Sequence, residues 1–149
     1  MTSRADQRVS AIELQRATVF RSALRRFIAR TDEVARAGGL TSQRYDLLLA
    51  IKSGPGETST VTELASRLSL RQTAVTELVK RAEEAGLIKR TTSAVDGRVF
   101  VLALTVEGKR RLLKAFVGLR DERRQLAEAM SAVGTSFRAF VKSQNEVAG

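Results

Sequence analysis

Residues 60–86 read TVTELASRLSLRQTAVTELVKRAEEAG, and their spacing decides the fold. Thr60-Val61-Thr62-Glu63 and Ser69-Leu70-Arg71-Gln72 repeat one signal, Ser/Thr-x-x-Glu/Gln, at a separation of nine residues. In each, the hydroxyl suits the third helical amide and the longer side chain can reach back to the capping residue. Leu64, Ala65 and Leu68 then mark one short helix. Val75, Leu78, Val79 and Ala82 give a second one its buried face, and Gly86 ends it. Two starts so close together leave room only for a tight turn, which predicts a helix-turn-helix.

Downstream, residues 87–104 read LIKRTTSAVDGRVFVLAL, where the apolar period changes to two. Strands are expected over 87–92 and 98–104, with residues 93–97 as the turn and Gly97 at positive φ. A hairpin directly after a helix-turn-helix is a wing. Upstream, helical spacing without Gly or Pro runs over residues 5–36, Gly38-Gly39 stops it, and Thr41 caps a helix carrying Tyr45, Leu48, Leu49 and Ile51. Thr105 is expected to cap a helix from about 106 to 130, and Ser131 or Thr135 a last one. The fold class is therefore mainly α with a small β-hairpin wing. A winged helix-turn-helix occupies residues 41–105, and a helical dimerisation region occupies 1–40 and 106–149.

Composition narrows the function. The 149 residues contain neither Cys nor His, which excludes thiol nucleophiles, disulfides and nearly every zinc, copper or haem site. No cofactor or metal is expected. Among Asp, Glu, Lys, Ser and Tyr there is no recognisable catalytic spacing, so an enzyme is not expected. There is no apolar run near 18 residues and no charged-then-apolar leader, from which a soluble, cytoplasmic protein without a membrane partner is expected. The net charge of +10 suits a polyanion.

Four passages in this order resemble the MarR (multiple antibiotic resistance regulator) family over roughly residues 10–145. They are Leu40-Thr41-x-x-x-Tyr45-x-Leu47-Leu48; Glu63-Leu64-Ala65-x-x-Leu68 with Ala74-Val75-Thr76-x-Leu78-Val79; Gly86-Leu87-Ile88-x-Arg90; and Asp96-x-Arg98 followed by Leu102-x-Leu104-Thr105-x-x-Gly108. The resemblance implies a homodimer clasped by its first and last helices. It also implies binding to a pseudo-palindromic operator in double-stranded DNA, usually as a repressor, and release by a small molecule.

On the second short helix, Arg71, Gln72, Thr73, Thr76, Glu77 and Lys80 are left on the outer side once the apolar positions are buried. Arg reads guanine, Gln pairs with adenine, a Thr methyl meets thymine, and Lys neutralises phosphate. Glu77 either accepts from cytosine or pairs with Lys80 or Arg81. Helix starts near Thr60 and Ser69 suit phosphate oxygens. At the wing, the resemblance implies that Arg98 enters the minor groove while Asp96 steadies the loop.

The ends carry more apolar surface than one winged domain can cover. Val9, Ile12, Met130, Val133, Phe137, Phe140 and Val141 are thus expected to bury one another across a dimer axis. Arg16, Phe20, Tyr45, Leu49 and Phe116 are candidates to line a pocket for an effector such as an aromatic acid. The competing reading is a winged-helix protein-interaction or assembly module that does not read DNA.

Overall fold

A computed structural model describes residues 9–147, and their side chains except at positions 136, 137 and 139–147. Helix α1 spans Ala11–Ala37. Its start is fixed by a reciprocal cap that the sequence reading passed over: the Ser10 amide donates to Glu13 Oε2 at 2.7 Å and the Glu13 amide to Ser10 Oγ at 3.1 Å. The helix starts at Ala11, and residues 5–8 of the expected span lie outside the described residues. It ends as expected at the two glycines, where Gly39 adopts φ 75°. There Leu40 N–H reaches the Ala35 carbonyl at 2.8 Å and Gly39 N–H reaches that of Arg36 at 2.9 Å, which satisfies the last carbonyls.

Helix α2, Ser42–Lys52, is capped by Thr41 Oγ1, which accepts from the Arg44 amide. Tyr45, Leu47, Leu48, Ala50 and Ile51 are all buried, leaving only Gln43 and Asp46 of this helix exposed. Neighbours explain this: α2 is packed by the next two helices, by two strands and by α5 (Val106–Gly118).

After α2 the chain turns through Pro55–Glu57, with Gly56 at φ 61° and Glu57 at φ 59°. The Glu57 carboxylate there accepts from both Lys52 and Lys109. The turn delivers a strand that the sequence did not announce, β1 (Thr58–Ser59), too short to show alternation. Helices α3 (Val61–Leu68) and α4 (Gln72–Glu84) follow, then strands β2 (Ile88–Thr92) and β3 (Phe100–Leu104). The sheet is antiparallel with order β1-β3-β2, so the wing has a third strand at its base.

The C-terminal half differs from expectation. Helix α5 ends at Gly118, and α6 runs over Arg120–Val147 without a break at Ser131 or Thr135. A Cβ at Gly118 would lie 2.9 Å from Val34 Cγ1, so glycine permits a close approach there. Asp121 and Glu122 stand in the first turn of α6, where the helix dipole favours anions. Thr135 Oγ1 instead donates back to the Ser131 carbonyl at 2.9 Å, so this hydroxyl is satisfied inside a helix and caps nothing.

The chain forms two compact units. Among the described residues, one comprises residues 31–118 and the other residues 9–30 with 119–147. In the first, Leu47, Leu48, Ile51, Leu64, Val75, Val79, Leu87 and Leu112 are fully enclosed.

Candidate nucleic-acid interface

The α3 cap forms as its residues suggest. The Glu63 amide donates to Thr60 Oγ1 at 3.2 Å and the Thr60 amide to Glu63 Oε2 at 2.8 Å. The Thr60 backbone bond is also the main reason that the Glu63 carboxyl titrates below its ordinary range.

The second cap does not form. Ser69 lies past the end of α3 in the left-handed region, φ 53° and ψ 41°. Its neighbours explain why: Leu70 N–H returns to the Ala65 carbonyl at 3.0 Å, a helix-ending bond that requires a left-handed residue before it. A residue in that conformation cannot also be the extended N-cap of the next helix. Arg71 takes that position, at φ −69° and ψ 148°, and offers no side-chain cap. The first turn of α4 therefore begins with an exposed cation and with amides that no capping side chain accepts from.

Along α4, Val75, Val79 and Ala82 are buried and Leu78 is half-buried, while Arg71, Gln72, Thr73, Thr76, Glu77 and Lys80 are all exposed. The expected outer face is thus in place. Gln72 Nε2 makes a long contact of 3.4 Å to Thr62 Oγ1 on α3. Thr76 Oγ1 donates to the Gln72 carbonyl at 2.8 Å, which commits its proton to the helix and leaves its methyl for outside contact. Glu77 pairs with Arg81 at 3.2 Å, one of the two partners its spacing allowed. Lys80 has no ion pair among the described residues.

The wing pairs Ile88 with Leu104 and Thr92 with Phe100, so its connecting loop is longer than the expected five residues. Ser93 Oγ accepts from the amides of Val95 and Asp96, and Asp96 Oδ1 accepts from the Arg98 amide at 3.0 Å. Asp96 therefore steadies the loop through the backbone, and the Arg98 side chain is exposed, with no ion pair among the described residues. Gly97 is not at positive φ, because the longer loop reverses without a left-handed residue.

Two contacts that the sequence reading missed hold the wing on the helices. Arg90 forks onto Glu83 of α4, Nε to Oε1 at 2.9 Å and Nη2 to Oε2 at 3.3 Å. Arg67 Nη1 of α3 donates to the Ala50 carbonyl at 2.9 Å and to Ser59 Oγ at 2.8 Å, joining α2, α3 and β1. Neither partner pair has a short-range spacing that would reveal it.

Comparison with known proteins bears on this geometry. The MarR family model matches residues 38–99. The HTH-type transcriptional repressor MdtR of Bacillus subtilis is 30% identical over 114 residues, covering 76% of this chain and 70% of MdtR. The chain belongs to the MarR family. Solved MarR-family structures share the fold. AbsC of Streptomyces coelicolor superimposes with a TM-score of 0.66 at 17% identity, covering 93% of this chain and 97% of AbsC. A mutant MarR of E. coli complexed with operator DNA gives 0.63 at 18%, covering 85% of this chain and 91% of that one.

This MarR-family transcriptional regulator carries its remaining candidate residues as follows. Ile12 and Met130 are exposed, 59% and 55%, as is Val9, while Val133 is half-buried. The side chains of Phe137, Phe140 and Val141 lie outside the described residues. Of the five candidate ligand residues, Arg16 and Phe20 belong to the terminal unit, and Tyr45, Leu49 and Phe116 to the other. Tyr45 is buried, and Leu49 helps line an open cleft of about 500 Å³ with Asp46, Ala50, Ser53, Arg67 and Leu68. Desolvation in this cleft raises the Asp46 carboxyl above its ordinary range. No described helix is long and apolar enough to cross a membrane.

Proposed function

We propose that this chain is a dimeric, sequence-specific DNA-binding repressor that acts in the cytoplasm and catalyses no reaction. The observation that carries the reading is the exposed first turn of α4, where Arg71, Gln72, Thr73 and Thr76 stand around uncapped amides. Phosphate suits such amides, and base edges suit such side chains. Thr60, Ser69 and Lys80 would position the duplex, Glu77 would orient Arg81, and Arg98, with Asp96 shaping its loop, would occupy the minor groove. A solved structure of the same fold is complexed with operator DNA, which supports the DNA-binding reading. A protein-interaction module would more naturally present aromatic or aliphatic anchors on this face.

Residues 41–105 would read the operator, while 1–40 and 106–149 would hold the dimer through Val9, Ile12, Met130, Val133, Phe137, Phe140 and Val141. Release by a small-molecule effector belongs to the same reading.

The test is titration of the full chain against duplexes selected from genomic fragments and against scrambled duplexes, at several salt concentrations, with sedimentation in parallel. A dimer that prefers selected over scrambled DNA by about 10³-fold or more, with affinity falling steeply with salt, is expected. Equal affinity for both duplexes, or a folded monomer at micromolar concentration, would overturn it.

A further inference from the structure

The wing exposes more apolar surface than an arginine-bearing hairpin requires. Phe100 is 70% exposed, Val99 41% and Val95 98%. Single exposed apolar residues are ordinary, but three within six positions make this stretch apolar, and Phe100, the first residue of β3, is the largest of them.

Its orientation follows from the register. Arg90 is paired with Leu102 and Thr92 with Phe100, and directly paired residues project to the same face of a sheet. Because residues two apart along a strand also share a face, Phe100 projects from the face that carries Leu102 and Arg90. That face is the one against α4, because Arg90 forks onto Glu83 of that helix. Leu102 is 3% exposed and Leu104 is 4% exposed. The apolar stripe of β3 therefore continues past the part of the sheet that the fold covers, and it emerges between the reading helix and the wing tip.

Charge identifies the occupant. Arg98 lies two positions before Phe100, and its guanidinium has no ion pair among the described residues. The one carboxylate of the loop, Asp96, is turned to the Arg98 amide. An apolar surface edged by a free cation and no free anion is complementary to deoxyribose rings and base edges flanked by phosphates.

We propose that Phe100 packs against the sugars lining the minor groove beside Arg98, giving the wing a non-ionic contact that adds to the ionic one. This rests on the DNA-binding reading above. An arginine–phosphate contact releases counterions and makes affinity salt-dependent, whereas burial of an aromatic ring releases none. The two contributions are therefore separable in one experiment.

Affinity on a selected duplex is measured against salt for wild type, Phe100→Ala, Phe100→Leu and Arg98→Ala, with dimer state and circular dichroism checked for each. Phe100→Ala is expected to lose about tenfold in affinity with an unchanged salt slope, Phe100→Leu to retain most of it, and Arg98→Ala to lose affinity with a shallower slope. Phe100→Ala that is folded and dimeric and binds like wild type would overturn the proposal. So would a change in salt slope equal to that of Arg98→Ala, or a lost self-association with affinity intact. A wild-type chain that binds no duplex would instead end the underlying DNA-binding reading, so the two failures are distinguishable.

Discussion

The carbonyl of Leu87 lies so close to Gly108 that a side-chain carbon at position 108 would sit 2.0 Å from its oxygen. The same carbonyl accepts from the Thr105 amide at 3.0 Å. Thr105 Oγ1 in turn donates to the Gly86 carbonyl at 2.6 Å and accepts from the Gly108 amide at 3.0 Å. Thr105-x-x-Gly108 is thus a docking device: the threonine caps α5 while joining it to the base of the wing, and the glycine lets the helix approach backbone. Gly108→Ala is expected to destabilise the protein by about 1–3 kcal/mol, since it places a methyl against a carbonyl with no flexible neighbour to yield. Urea denaturation of wild type and variant checks this, and equal midpoints would show that α5 can shift without cost.

Ser69 provides the opposite case. A left-handed backbone costs a residue with a Cβ roughly 1–2 kcal/mol, and Gly39 and Gly86 hold the corresponding positions in the turns that end α1 and α4. Ser69→Gly is therefore expected to stabilise the fold by about 0.5–1 kcal/mol, allowing for the greater freedom of glycine when unfolded. Ser69→Ala should give no such gain. Thermal melts of the three proteins decide the matter.

Glu107 supplies the pH dependence. Hydrogen bonds from Arg110 and then Arg111 hold its carboxyl at about 2, well below an ordinary glutamate. Because the folded value is depressed, the contribution to stability is present above about 4.5, shrinks as pH falls from there toward 2, and is absent below. Arg111 also donates to the Gly39 carbonyl at 2.9 Å, so the pair orients a side chain that links α5 to the end of α1. Glu107→Gln should be less stable than wild type at pH 7 and converge with it at pH 2. Chemical denaturation across that range measures the convergence, and a constant difference would disprove the titration.

The outer face of α4 should divide by role. Arg71→Ala and Gln72→Ala are expected to weaken binding to a selected duplex by about 1–3 kcal/mol per lost base contact while affecting scrambled DNA less. Lys80→Ala should weaken both similarly and lower the salt slope by about 0.9 for each counterion no longer released. Parallel titrations on the two duplexes test the division. Equal losses for all three variants would mean that reading and positioning residues have been exchanged.

The helix-turn-helix and wing were legible because their signals are local: Thr60 with Glu63, the stripe Val75-Val79-Ala82, and the continuous apolar run of residues 99–104. Ser69-x-x-Gln72 misled because the pattern that starts a helix also fits a turn that ends one, and only the Leu70–Ala65 bond distinguishes them. The division at Gly118 depends on Val34, far away in sequence, and β1 depends on pairing with Ala103 and Leu102. On the candidate interface, the outward residues of α4 were readable from periodicity. The Arg90–Glu83 fork and the exposure of Phe100 were not, since both arise from how far α4 covers the sheet.

The enclosure of α2 has a kinetic consequence. Its amides are bonded within a helix that α3, α4, α5 and two strands surround, so no small local motion brings water to them. Deuterium should enter the middle of α2 only when the whole unit opens. The amides of Gln72, Thr73 and Ala74, at the uncapped start of α4, need only the fluctuation of a single turn. The domain thus places its slowest-exchanging and some of its fastest-exchanging helical protons in adjacent elements, with a rigid axle beneath a reading surface whose leading turn remains free to adjust.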